Sequence, residues 1–195
     1  MRLSTFLRSG LAAAALTATG LFGASAAQAQ GALVVYCGVQ EEWCRPMVET
    51  FEKETGIKVA MTRKSAGELY AQLKAEASNP RGDIWWGGTG DPHLQSAEEG
   101  LTLEYRSPKM SEMQDWAVRQ WENSKQRTVG VYSGALGFSY NTQQMAKKAG
   151  GGDPKCWADL ADPRYKDDIQ VADPNSSGTS YAMVATMVQL LGENP

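Results

Sequence analysis

The residues of this 195-residue chain that could do chemistry are few, and they fall into short clusters. There is one histidine, His93, in "GDPHLQ". A Ser-His-Asp hydrolase would have to use it as the base, yet no G-x-S-x-G elbow precedes a helix. The chain also lacks an HExxH pair, a P-loop lysine after its Gly-rich stretch, and a dinucleotide fingerprint. His93 falls one residue inside a predicted helix, where a surface or capping role is expected. A secreted hydrolase using His93 is therefore the alternative reading, and a non-catalytic binding role is the main one. No cofactor is expected.

Binding chemistry is better represented. Gly87, Gly88 and Gly90 remove Cβ hindrance so that backbone amides can approach a ligand, Thr89 adds a hydroxyl, and Asp91 is placed to cap a helix. In "DPNSSGTS", Ser176, Ser177, Gly178 and Thr179 precede the apolar run "YAMVATMVQLL". The first amides of any helix lack internal partners and sit at the positive end of its dipole, so the position favours an anion. One Ser or Thr suffices as a cap; three hydroxyls and a glycine exceed that need. "TRKSAGE" offers Arg63, Lys64 and Ser65 in a similar setting, with a solvated basic pair as the plain alternative. Gln40 and Glu41 follow the first strand.

These clusters must be positioned by the elements around them. Residues 31–36, "GALVVY", read as a buried strand, 41–54 as a helix closed by Thr55-Gly56, and 57–61 as a second strand. A helix over 66–77, a strand over 83–86 and a helix from Asp91 to about Glu99 follow. The βαβαβα order with short connections predicts an open, mostly parallel sheet, in which ligands collect beyond the carboxyl ends of the strands. Further on, strands are expected at 128–132, 137–140 and 169–172 and helices at 143–149 and 180–191, with a flexible break at 150–154.

Residues 1–29 read as a cleaved secretory signal peptide: Arg2 and Arg8, an Ala/Leu-rich middle, and an A-x-A site at Ala27-Gln28-Ala29. Loss of those two arginines moves the formal charge from −3 to about −5, which argues against nucleic acid as a partner. Three cysteines remain. Cys37 and Cys44 are close enough in sequence to bridge in an oxidising compartment, with two buried thiols as the alternative, and Cys156 is left over.

Taken together, "LVVYCGVQEEW", "FEKETGIKV", "GDIWWGGTGDPHLQSAEEGL", "GALGFSYNT" and "CWADLADPRYKDDIQVADPNSSGTSY" resemble the periplasmic solute-binding proteins of ABC importers. The resemblance is to the ferric-iron-type group, which includes thiamine, phosphonate and sugar-phosphate binders. It implies a type II periplasmic binding-protein fold with two α/β lobes closing on a ligand. Residues 30–133 then form lobe one, and 134–195 the crossover and a partial lobe two. Members of the family are longer, so an N-terminal portion is expected. The implied function is capture of a small anionic, phosphate-bearing solute by a periplasmic monomer and its delivery to an inner-membrane permease. A ferric-iron carrier is the alternative. The place where ferric members carry a histidine reads Gly38-Val39-Gln40, and no metal ligand is carried over. The expected ligand contacts are Gln40, Glu41, Arg63, Ser65 and Gly88–Asp91 from one lobe, and Ser176–Thr179 from the other.

Overall fold

The structure is a computed structural model in which residues 31–148 and 152–193 are described. The signal-peptide reading, residue 149 and the first half of the Gly-rich break lie outside those residues.

Three strands, β1 (Ala32–Cys37), β2 (Lys58–Arg63) and β3 (Ile84–Trp86), form a parallel sheet in the order β2-β1-β3. β1 is central, pairing Ala32 with Lys58 and Val35 with Ile84. That position explains its continuous apolar sequence: its second half is buried on both faces. Helices α1 (Glu41–Thr55) and α2 (Ala66–Ala75) are the crossovers, and α3 (Gly90–Glu98) follows β3. α1 ends at Gly56, whose φ of +73° is a left-handed cap that glycine adopts without steric cost. α2 begins with a capping box between Ser65 and Glu68. The core gathers Val35, Tyr36, Cys37, Leu69 and Ala97. Cys37 and Cys44 form a disulfide whose two residues are fully buried, so α1's first turn is stapled to the end of β1. Cys156 is free and exposed.

α4 (Asp115–Asn123) buries Ala117 and Trp121, and its cap Ser124 is tied to Thr128. Beyond it the expected strands at 128–132, 137–140 and 169–172 are absent. A strand exists only with a ladder partner, and these segments are held by side chains instead. Gly130 lies under the Trp116 ring, and Phe138 packs edge-on to Trp157 at 5.2 Å. The helix expected at 143–149 shortens to α5 (Thr142–Met145), capped by Asn141. Two 3₁₀ turns, Trp157–Ala161 and Pro163–Tyr165, precede α6 (Gly178–Leu191). α6 starts two residues earlier than expected because Ser177, not a later residue, is its cap. Only its start is buried; Tyr181, Val184, Val188, Leu190 and Leu191 are exposed.

Candidate ligand-binding site

The loops after β1 and β3 and the starts of α2, α3 and α6 meet at one place. The meeting depends on the absence of side chains. A Cβ on Gly88 would stand 3.0 Å from Ala66 Cβ and 3.3 Å from the Gly38 carbonyl. A Cβ on Gly178 would overlap Thr89 Oγ1, with Ala66 Cβ and Thr89 Cβ each at 3.2 Å. Gly67, in the first turn of α2, donates its amide to the Ser176 carbonyl at 3.0 Å. A Cβ there would lie 2.6 Å from the Asn175 carbonyl oxygen and 2.8 Å from that of Ser176. Backbone therefore touches backbone between the first turn of α2 and the turn before α6. A cavity of about 580 Å³ opens beside this contact, lined by Gly67, Tyr70, Asp91, Gln95, Asn175 and Gly178 among others.

Thr89 is the N-cap of α3, yet its hydroxyl makes no cap bond. The Oγ1 atom is buried without a hydrogen-bond partner. Among the described residues, no hydrogen bond takes the amides of Gly90 and Asp91 at the start of α3, or of Gly178 and Thr179 at the start of α6. A buried hydroxyl without a partner costs on the order of 1–3 kcal/mol; the Trp85 indole N–H and the Thr102 hydroxyl are likewise buried without a hydrogen-bond partner. The donors offered here are the Thr89 hydroxyl and main-chain amides.

The predicted contacts divide accordingly. Gly88, Thr89, Ser176 and Gly178 come together around Ala66 and Gly67, with Ser65, Gly90 and Ser177 next to them in sequence. Asp91 lies in the first turn of α3 rather than at its cap, because Thr89 takes the cap position; the residue is among those lining the cavity. Part of the hydroxyl excess at the start of α6 is used locally: Ser176 donates to the Asp173 carbonyl, and Ser177 accepts from the Ser180 amide. Thr179 is exposed. Ser65 is bound to Glu68, whose carboxyl those bonds hold below the usual range. Arg63 donates to the Val39 carbonyl at 3.1 Å, and Lys64 to Gln72 at 2.7 Å, so the basic pair is committed to contacts with the loop after β1 and with α2. Glu41 pairs with Arg45, and Gln40 caps α1 through its carbonyl; neither lines the cavity.

His93 corrects the surface expectation. Its ring stacks on Trp85 with centroids 3.8 Å apart, and its Nε2 lies 3.0 Å from the Gly87 carbonyl. A carbonyl can only accept, so Nε2 carries the proton. Burial pushes the ring's pKa down, and the bond to Gly87 partly opposes this. The imidazole braces the glycine turn. Among the described residues, no group of three His, Cys, Asp or Glu stands together to hold a metal ion.

Two further residues carry no signal in the sequence. Tyr132 reaches the glycine turn across 44 positions and bonds Gly88 through its hydroxyl. Trp43, more than half exposed, packs edge-on to Tyr132 at 5.5 Å.

Comparison with known proteins gives a consistent result. The sequence profile of the bacterial extracellular solute-binding proteins matches residues 91–195. An uncharacterized protein of Haemophilus influenzae is 40% identical over 179 residues, which are 92% of this chain and 52% of that protein. The Fe(3+)-binding periplasmic protein of Serratia marcescens is 28% identical over 172 residues, 88% of this chain and 48% of that one. Among solved structures, the periplasmic binding protein AfuA from Actinobacillus pleuropneumoniae, with exogenous fructose-6-phosphate bound, matches with a TM-score of 0.77 at 40% identity. That match covers 84% of this chain and 51% of AfuA. The chain thus spans about half the length of the relatives it matches.

Proposed function

Since the chain belongs to the bacterial extracellular solute-binding proteins and has the α/β fold of type II periplasmic binding proteins, we propose that it captures a phosphate-bearing organic solute in the periplasm for an ABC importer. The observation that carries this reading is the Thr89 hydroxyl, buried without a partner between two helix starts whose first amides are free. An anionic oxygen set there accepts from Thr89 and from the amides of α3 and α6, and gains from both helix dipoles. Asp91 is among the residues lining the adjoining cavity; its negative charge disfavours a second anion there and suits a ligand hydroxyl or amine. The ligand is accordingly an organic phosphate with hydrogen-bond donors rather than a bare oxyanion. Residues 30–133 act as one wall and residues 134–195 supply the other, and closure follows from ligand contacts to both. The protein acts as a carrier, and the inner-membrane permease is its partner.

Calorimetric titration with fructose-6-phosphate, inorganic phosphate and ferric citrate, on wild type and Thr89→Val, tests this. Removing an unpaired buried hydroxyl leaves the ligand-free fold equally stable or about 1 kcal/mol more stable. Losing one hydrogen bond to a charged group weakens the sugar phosphate by about tenfold or more. Response to ferric citrate alone, or a Thr89→Val variant that binds the organic phosphate as wild type does, overturns the proposal.

A further inference from the structure

The glycine turn before α3 raises a question of its own. Gly87 and Gly88 have φ of +80° and +105°, conformations open to glycine but costly in chain entropy to hold. Something must fix them, because the peptide after Gly88 sets the direction of Thr89.

Tyr132 does so with both functions of one hydroxyl. The oxygen accepts from the Gly88 amide at 2.7 Å, and the O–H donates to the Gly88 carbonyl at 3.1 Å. The first bond fixes the peptide plane between Gly87 and Gly88. The second fixes the plane between Gly88 and Thr89, turning its carbonyl toward Tyr132 and its Thr89 amide away. A phenol has one donor and can accept as well, so both capacities are spent on this single residue. The ring itself is held by two neighbours, with Trp43 packed on it at 5.5 Å and Trp86 at 6.0 Å. Trp43 belongs to α1 and Trp86 to β3, so the hydroxyl is aimed from two elements.

We propose that Tyr132 is a positioning residue that holds the Gly87–Gly88 turn and thereby directs Thr89 and the first amides of α3. The inference deepens the anion-seat reading and rests on it for its functional meaning. It changes the role of Gly88: its amide is taken by Tyr132, and the glycine serves the ligand only through Thr89.

Tyr132→Phe keeps the ring between its tryptophans and removes both bonds. In ¹⁵N-resolved spectra of the ligand-free protein, the Gly88 amide is expected to exchange at least tenfold faster, with shift changes spreading to Thr89, Gly90 and Asp91. Fructose-6-phosphate affinity is expected to fall about tenfold, while Tyr140→Phe, away from the turn, changes neither. Trp43→Phe, which keeps the hydroxyl but loosens its aim, should move the same amides in the same direction and supplies a second test if Tyr132→Phe folds poorly. Unchanged Gly88 exchange, or changes that stop at Gly88, overturns the proposal. If wild type ignores the sugar phosphate, the anion seat fails instead, and the spectra still decide whether Tyr132 directs α3.

Discussion

Gly67→Ala isolates the contact between the two walls. The new methyl would stand 2.6 and 2.8 Å from two carbonyl oxygens, those of Asn175 and Ser176, where an ordinary contact needs more than 3 Å. Both obstacles are main chain, so no side chain can swing aside. The Ser176 carbonyl is also the acceptor of the Gly67 amide at 3.0 Å, and separating the walls lengthens that bond. Overpacking of this kind costs about 1–3 kcal/mol, and the lost hydrogen bond adds about 1 kcal/mol. Alanine returns about 0.5–1 kcal/mol by its better helix propensity. The net destabilisation is about 1–3 kcal/mol, or a fall in Tm of roughly 2–12 °C for a fold of this size. Thermal melts followed by circular dichroism measure it, with Gly134→Ala, where nothing lies within 4 Å, as control. Fructose-6-phosphate affinity should fall in parallel. A Gly67→Ala protein that melts with the control and binds as wild type would refute the backbone contact as the junction of the two walls.

Two further outcomes follow from the fold. Cys37→Ala/Cys44→Ala opens an eight-residue loop; loop-closure entropy puts the cost at about 2.5 kcal/mol, to be read by urea denaturation of the double variant against the oxidised wild type. Because burial lowers the His93 pKa below its ordinary 6.5, the unfolded chain takes up a proton that the folded one refuses. Stability is therefore full above about pH 6.5 and declines as pH falls below it, with a slope approaching one proton, and levels off once the buried ring itself protonates. Urea midpoints at pH 7.5, 6.5 and 5.5 should show that decline in wild type, and His93→Gln should lack this component.

The first hundred residues were legible because their signals are local. Apolar runs, a Gly56 cap and the Ser65 capping box each specify their element without help from elsewhere. The disulfide was legible for the same reason. The expected strands after residue 128 failed because extended chain becomes a strand only through a partner that sequence does not display. The Ser176–Thr179 cluster was correctly placed at a helix start; within the turn Ser176 spends its O–H on the Asp173 carbonyl, while Ser177 only accepts, from the Ser180 amide. Tyr132 and the His93–Trp85 stack depend on packing across the fold, so nothing in "TVGVYSG" or "GDPHLQ" announced them.

The donors at the starts of α3 and α6 are main-chain amides and the Thr89 hydroxyl, none of which has a proton equilibrium near neutrality. A phosphate monoester held by them brings its own second ionisation, near pH 6, as the titration the seat feels. Uptake by such a carrier would track the charge state of the cargo. The periplasm shares its acidity with the outside medium, and capture would strengthen or fade with external pH through the solute itself.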